Sequence, residues 1–269
     1  MKRKPAVAGY FYPGEAVSLR RAIEKMVDPE PRRVKAVAVV SPHAGFEYSG
    51  PVAGAVFSSV ELPETYVLLG PAHRAGMRSS FAIVRTGEWM TPLGSVPIAT
   101  DLADLILGGS ALINEDEQAH LGEHSLEVQL PFIQYFKKDI SIVPLCISYS
   151  ASLQELEELG NTVSNAVKAA KRDVLIVAST DMSHYVSQKE AEKKDSLAIK
   201  KVLELDAPGL YETVQKEDIS MCGFQPTTAA IFAANKLGAR KAELIKYQTS
   251  GDRTGDYLEV VGYAGIRII

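Results

Sequence analysis

Short apolar runs rich in β-branched residues alternate along this chain with stretches of helical period, and that alternation confines it to an α/β fold. Strands are expected near 34–41, 65–70, 81–85, 141–147, 174–180, 241–248 and 257–268. Helices are expected between them, over 15–27, 50–59, 101–107, 124–136, 153–171, 189–205, 208–215 and 226–236. Over 153–167, apolar residues recur at Leu153, Leu156, Leu159, Val163 and Val167, the stripe of a helix packed on a sheet. The last two strands flank Thr249-Ser250-Gly251-Asp252-Arg253-Thr254-Gly255-Asp256, whose Gly and Asp content suits a hairpin-like connection. A mostly parallel sheet with at least one antiparallel edge, flanked by helices, is therefore expected. No repeat, low-complexity tract or Pro/Gly/Ser linker divides the 269 residues, so 1–269 is read as a single domain. The polar stretch 108–118 is the candidate mobile surface loop, leading into His120 and His124.

With 46% hydrophobic residues the chain can bury one substantial core. A formal charge of -4 and the lack of a long basic block argue against a nucleic-acid partner, so the ligand is expected to be a small molecule or peptide-like. No apolar stretch approaches bilayer length, and Met1-Lys2-Arg3-Lys4-Pro5 lacks the apolar segment of a signal peptide. A cytoplasmic location away from membranes is expected. Two cysteines are too few for a disulfide framework and fit a reducing compartment. Cys146, inside Ser141-Ile142-Val143-Pro144-Leu145-Cys146-Ile147, reads as a small buried hydrophobe. Cys222 lies between Met221 and Gly223 at the start of a helix, where the helix dipole favours a thiolate and therefore ligand or nucleophile duty.

The histidines mark the candidate site. His43 in Ser41-Pro42-His43-Ala44-Gly45, His73 in Gly70-Pro71-Ala72-His73 and His184 in Asp181-Met182-Ser183-His184-Tyr185 each follow an apolar run. Open α/β sheets gather ligands outside the carboxyl ends of their strands, so three strand exits can converge there. His43 and His73 supply a neutral pair of ligands, and the anion completing a three-ligand metal site could be Cys222 or Asp181. A thiolate would make the site softer, open to Zn, Fe(II) or copper. Asp181 and His184 read as an acid/base pair in which the carboxylate orients the imidazole. His124 is a pocket-wall or helix-start residue, and Ser49 or one of its neighbours, Tyr48 and Gly50, reads as capping the helix that begins there.

Competing chemistries are weaker. His120-Leu121-Gly122-Glu123-His124 matches H-x-x-E-H, but Gly122 breaks the regular helix that a zinc peptidase needs. Neither G-x-S-x-G nor a phosphate-binding glycine loop occurs, and a Cys222/His184 dyad remains as a nucleophilic alternative.

Taken together, the chain resembles the Memo family, the B component of the AmmeMemoRadiSam gene set, over essentially its full length. The resemblance is carried by Pro5-Ala6-Val7-Ala8-Gly9-Tyr10-Phe11-Tyr12-Pro13, Ser41 to Gly50, Leu69 to His73, Glu123 to Pro131, Ser179 to Tyr185 and Met221-Cys222-Gly223. It implies a fold similar to LigB-type, class III extradiol dioxygenases, with a metal on His43, His73 and Cys222 and with His184 as the acid/base histidine beside Asp181. Fe(II) is the cofactor this implies, with copper or zinc as alternatives. The chain departs from those dioxygenases in having Cys222 where they use a glutamate, and a thiolate alters both the coordination and the redox potential of iron. Phe11 matches a pocket tryptophan of the family, and Tyr48 falls on the same wall. The resemblance also implies AMMECR-type and radical SAM proteins as functional partners. Because animal members bind phosphotyrosine peptides, it further implies a non-enzymatic alternative: a phosphopeptide- or anion-binding module that uses the same pocket.

Overall fold

A computed structural model describes residues 1–74, 77 and 79–269. At its centre Ala38–Ser41, Val174–Ser179, Thr65–Pro71 and Ser141–Ile147 lie side by side in that order, all parallel. These strands are buried almost throughout, which is why they read as continuous apolar runs rather than alternating ones. The spatial order differs from the chain order, because Val174–Ser179 sits between the first two strands. All four leave the sheet at the same edge, so the residues that follow them meet over a single crevice.

Both flanks turn antiparallel. Val260–Ile268 runs antiparallel to Ala38–Ser41 and to Ala242–Thr249, while His184–Val186 pairs with its first residues. On the other side Phe81–Ile83 runs antiparallel to Ser141–Ile147 and carries Ile113–Glu115. Among the described residues this makes a nine-stranded mixed sheet, and Lys2–Arg3, Glu88–Thr91 and Gly94–Pro97 form a second, smaller sheet. The expected connection between the last two strands contains a helical turn, Gly251–Thr254, closed by Gly255 at φ +76°.

Helices cover both faces of the main sheet. Gly265 and Gly262 are an odd number of residues apart on one strand and so face opposite ways; a Cβ on the first would meet Val52 and Val56, and on the second Asp195. Phe46–Ser58 therefore packs on one face and Gln188–Leu203 on the other. Val52, Val56 and Phe57 are fully buried, each contributing roughly 1.5–3 kcal/mol relative to exposure. Phe224–Lys236 packs against Leu153–Ala170 and the parallel strands. Leu153–Ala170 begins where Ser152 and Glu155 form a reciprocal capping box, and its expected stripe is buried at Leu156, Leu159 and Val163. Among the described residues no helix is long and apolar enough to cross a membrane.

Three local readings change. The helix expected from residue 50 begins at Phe46, with Gly45 at its N-cap; Ser49 does not cap it, because its hydroxyl donates to the Ala44 carbonyl at 2.8 Å. The helix expected over 124–136 is a 3-10 turn, Glu127–Gln129, followed by Leu130–Phe136. His124 and Ser125 instead give their amides to the Glu123 carboxylate, at 2.8 and 2.7 Å. The stretch 108–118 is not merely a surface loop, since it contains Ile113–Glu115, paired with Phe81–Ile83 and anchored by buried Ile113.

Candidate metal centre

His43 follows the strand Ala38–Ser41 and is almost fully buried. Its Nδ1 lies 2.9 Å from Ser179 Oγ, which donates its own proton to the Ser125 carbonyl at 2.6 Å and accepts Gln129 Nε2 at 2.9 Å. Ser179 can therefore only accept from His43, so the ring proton sits on Nδ1 and the Nε2 lone pair faces Cys222 Sγ, 3.3 Å away. Burial, reinforced by nearby His73 and His124, pushes the His43 pKa well below its usual value and keeps the ring neutral.

His73 leaves the neighbouring strand Thr65–Pro71. Glu123 holds it twice, accepting its amide at 2.7 Å and its Nδ1–H at 2.9 Å, which leaves Nε2 free. Burial alone would raise the Glu123 pKa. The His73 hydrogen bond and the Ser125 amide outweigh it and bring the carboxyl to about 2, so this buried group stays ionised. Gly70 lets the strand approach this segment, since a Cβ there would lie 2.7 Å from Ser125 Oγ.

Cys222 reaches the same point from the opposite side. Gly223 permits it: a Cβ at 223 would lie 2.3 Å from the Ser179 carbonyl, and the Gly223 amide donates to Thr180 Oγ1 at 2.9 Å. Burial, then the nearby Asp181 carboxylate, pushes the thiol pKa far up and outweighs the Phe224–Lys236 helix terminus. Because His43 Nε2 carries no proton, the Cys222 thiol donates to it.

Asp181 accepts the amides of His43 and Ala44 at 2.8 and 3.3 Å, and burial raises its carboxyl to about 6. It makes no hydrogen bond to His184 in this arrangement. The His184 ring is oriented instead by the Ser220 carbonyl, which accepts its Nδ1–H at 2.8 Å, while Ser220 Oγ accepts the His184 amide at 2.7 Å. Asp181, His184 and Cys222 nevertheless offer polar atoms within 4.8 Å of one another. Tyr185, next in the chain, adopts φ +56°, a strained value for a residue with a side chain.

Aromatic rings wall the centre. His124 stacks on His73 at 4.5 Å between centroids and meets Phe11 edge-on at 4.8 Å. Tyr149, absent from the sequence reading, stands 6.2 Å from His73, and burial raises its hydroxyl pKa. Tyr48 is part-exposed and lies beside Gly45. His120 is turned away: its Nδ1 donates to the Asp116 carbonyl at 2.9 Å and its ring faces Trp89, which removes the peptidase geometry. Glu123, Ser179, Gln129 and Ser220 were also missed as orienting groups. Glu123 and Ser179 lay inside motifs already quoted, but their partners are 50 and 136 residues away in sequence.

A family model described as Memo-like protein matches residues 3–267. The chain belongs to the Memo family. A MEMO1 family protein of Methanopyrus kandleri is 40% identical over 280 residues, covering 99% of this chain and 98% of that protein. A MEMO1 family protein of Methanococcoides burtonii is 42% identical over 266 residues, covering 98% of each. Among solved structures, an uncharacterized protein of Escherichia coli K12 matches with a TM-score of 0.60 at 14% identity, covering 86% of this chain and 99% of that one. That likeness concerns the fold alone.

In this Memo-family chain His43, His73 and Cys222 place their ligand atoms within 4.8 Å of one another. Two imidazoles with Nε2 freed by a fixed Nδ1, plus one thiol, form a donor set that suits a borderline or soft transition metal. The 3.3 Å between His43 Nε2 and Cys222 Sγ is close to the spacing set by metal–nitrogen and metal–sulfur bonds of about 2.0 and 2.3 Å. The residues fit a metal. His73, Glu123 and His124 form a further cluster of potential ligands, but Glu123 already accepts four N–H donors.

Proposed function

We infer that this Memo-family protein is a cytoplasmic Fe(II)-dependent oxidoreductase, chemically related to extradiol dioxygenases, acting on a small molecule or peptide. The observation that carries this reading is the convergence of His43, His73 and Cys222 with each imidazole Nδ1 tied down, which leaves both Nε2 atoms free and sets that of His43 against the thiol. A redox metal bound there supplies Lewis acidity and one-electron chemistry, and copper or zinc would suit the same donors. His184, held through Nδ1, presents Nε2 as the group that takes and returns a substrate proton. Asp181 fixes the His43 backbone and lends negative charge beside that exchange. Phe11, His124 and Tyr48 bound the pocket and limit water. AMMECR-type and radical SAM proteins, implied by the sequence resemblance, are the functional partners this reading proposes.

The test is oxygen uptake by protein loaded with Fe(II) without oxygen and then given catechol as a probe in aerated buffer. Uptake above that of free Fe(II), lost in His184→Gln at unchanged iron content, is expected. Uptake no greater than that of free iron, or equal in the variant, counts against this reading.

A second reading, a metal-independent anion- or phosphopeptide-binding module, draws support from the hydrogen bonds that Cys222 Sγ makes within the protein, to the Asp181 amide and His43 Nε2. Saturable binding of a phosphotyrosine peptide to chelator-treated protein would favour it.

A further inference from the structure

Beside His73 a cavity opens between the Thr65–Pro71 and Ser141–Ile147 strand exits, lined by His73, Arg74, Met77, Ser148, Tyr149 and Ser150. Among the described residues Arg74 is the only cation in that lining. Its guanidinium lies over Gly122, where a Cβ would come within 2.6 Å of Cζ, so a side chain at 122 would displace it. Among the described residues Arg74 has no ion-pair partner: the buried Glu123 carboxylate next to Gly122 is taken by His73 and by following amides.

The same lining offers a hydrogen-bond donor. Ser148 and Ser150 share one hydrogen bond at 2.8 Å, and Ser148 Oγ accepts the Ser150 amide, so one of the two hydroxyl protons is left for a ligand. Met77 and the Tyr149 ring add apolar surface to the same lining, with the Tyr149 ring 6.2 Å from that of His73.

The geometry points to a subsite for a carboxylate, held by Arg74 and the Ser148/Ser150 pair, on a ligand whose flat apolar body lies along Tyr149 toward His73. One guanidinium matches one carboxylate in charge and in its two-pronged hydrogen bonding, whereas a phosphate dianion would leave a charge uncompensated. This deepens the proposed function by naming the substrate class as an organic monocarboxylate, and it rests on that function only for what lies at the His73 end.

The test uses chelator-treated full-length protein, so its outcome is separate from that of the metal reading. Benzoate, benzamide and phenyl phosphate are titrated calorimetrically into wild type and Arg74→Gln. Saturable benzoate binding, at least tenfold weaker for benzamide and at least tenfold weaker in the variant, is expected. The subsite is overturned if benzoate fails to saturate, if benzamide or phenyl phosphate binds as tightly, or if Arg74→Gln leaves benzoate affinity unchanged. Iron stoichiometry should be the same in Arg74→Gln as in wild type, and its loss would also contradict a role confined to the ligand.

Discussion

Each imidazole at this centre presents one nitrogen because the other is occupied. Ser179 fixes His43, Glu123 fixes His73 and the Ser220 carbonyl fixes His184. Of these anchors Glu123 is the most exacting, an ionised carboxylate with no side-chain exposure. Glu123→Gln should keep the volume but lose the charge-assisted bond to His73, lowering metal affinity about 10–100-fold. Competition against a chromophoric chelator checks this, and an unchanged affinity would show that Glu123 does not orient the ligand. His43, His73 and His184 were legible from sequence because each follows an apolar run. Their anchors were not, because hydrogen-bond partners are chosen by strand order. At Cys222 the helix start is visible in sequence, whereas the burial that pushes the thiol pKa up is not.

At the scale of elements, the long strands and helices were legible and the shortest pieces were not. Lys2–Arg3, Ile113–Glu115 and His184–Val186 are too short to show a period, and each exists because a neighbouring strand offers it an edge. The N-terminal segment shows what such a piece can do. Arg3 pairs with Glu127 at 2.6 Å with both side chains fully buried, donates to the His120 and Glu123 carbonyls, and lies over Trp89. Glu127 in turn accepts the Ala6 and Val7 amides and the Tyr12 hydroxyl, which seats Phe11 against His124. Removing one partner leaves the other buried and unpaired. Arg3→Met should therefore cost roughly 3–5 kcal/mol in urea unfolding, and adding Glu127→Gln should recover part of it. A loss below about 1 kcal/mol would mean that the pair is not buried in solution.

Across the whole molecule, the α/β class and mixed sheet follow from the order of apolar runs, and the crevice follows from the strand order. One global property can be measured without knowing a substrate. Burial holds His120 at about 4, against 6.5 for an ordinary histidine, with its Nδ1–H on the Asp116 carbonyl and Arg3 nearby. Between those values the unfolded chain takes up a proton at this ring and the folded protein does not, so stability falls as pH drops through the window. The loss from this one group is on the order of 3 kcal/mol. Urea midpoints measured from pH 7 to 4 should decline less steeply in His120→Asn than in wild type, and parallel curves would remove His120 from the cause.

The central claim is that His43, His73 and Cys222 together hold a metal. Elemental analysis of protein purified without oxygen and without added metal, run beside Cys222→Ser, tests it most directly. Near-stoichiometric iron or copper in the wild type, lost from a folded variant, is the predicted result. A metal-free wild type that also fails to take up Fe(II), or a Cys222→Ser protein with full metal content, would contradict it.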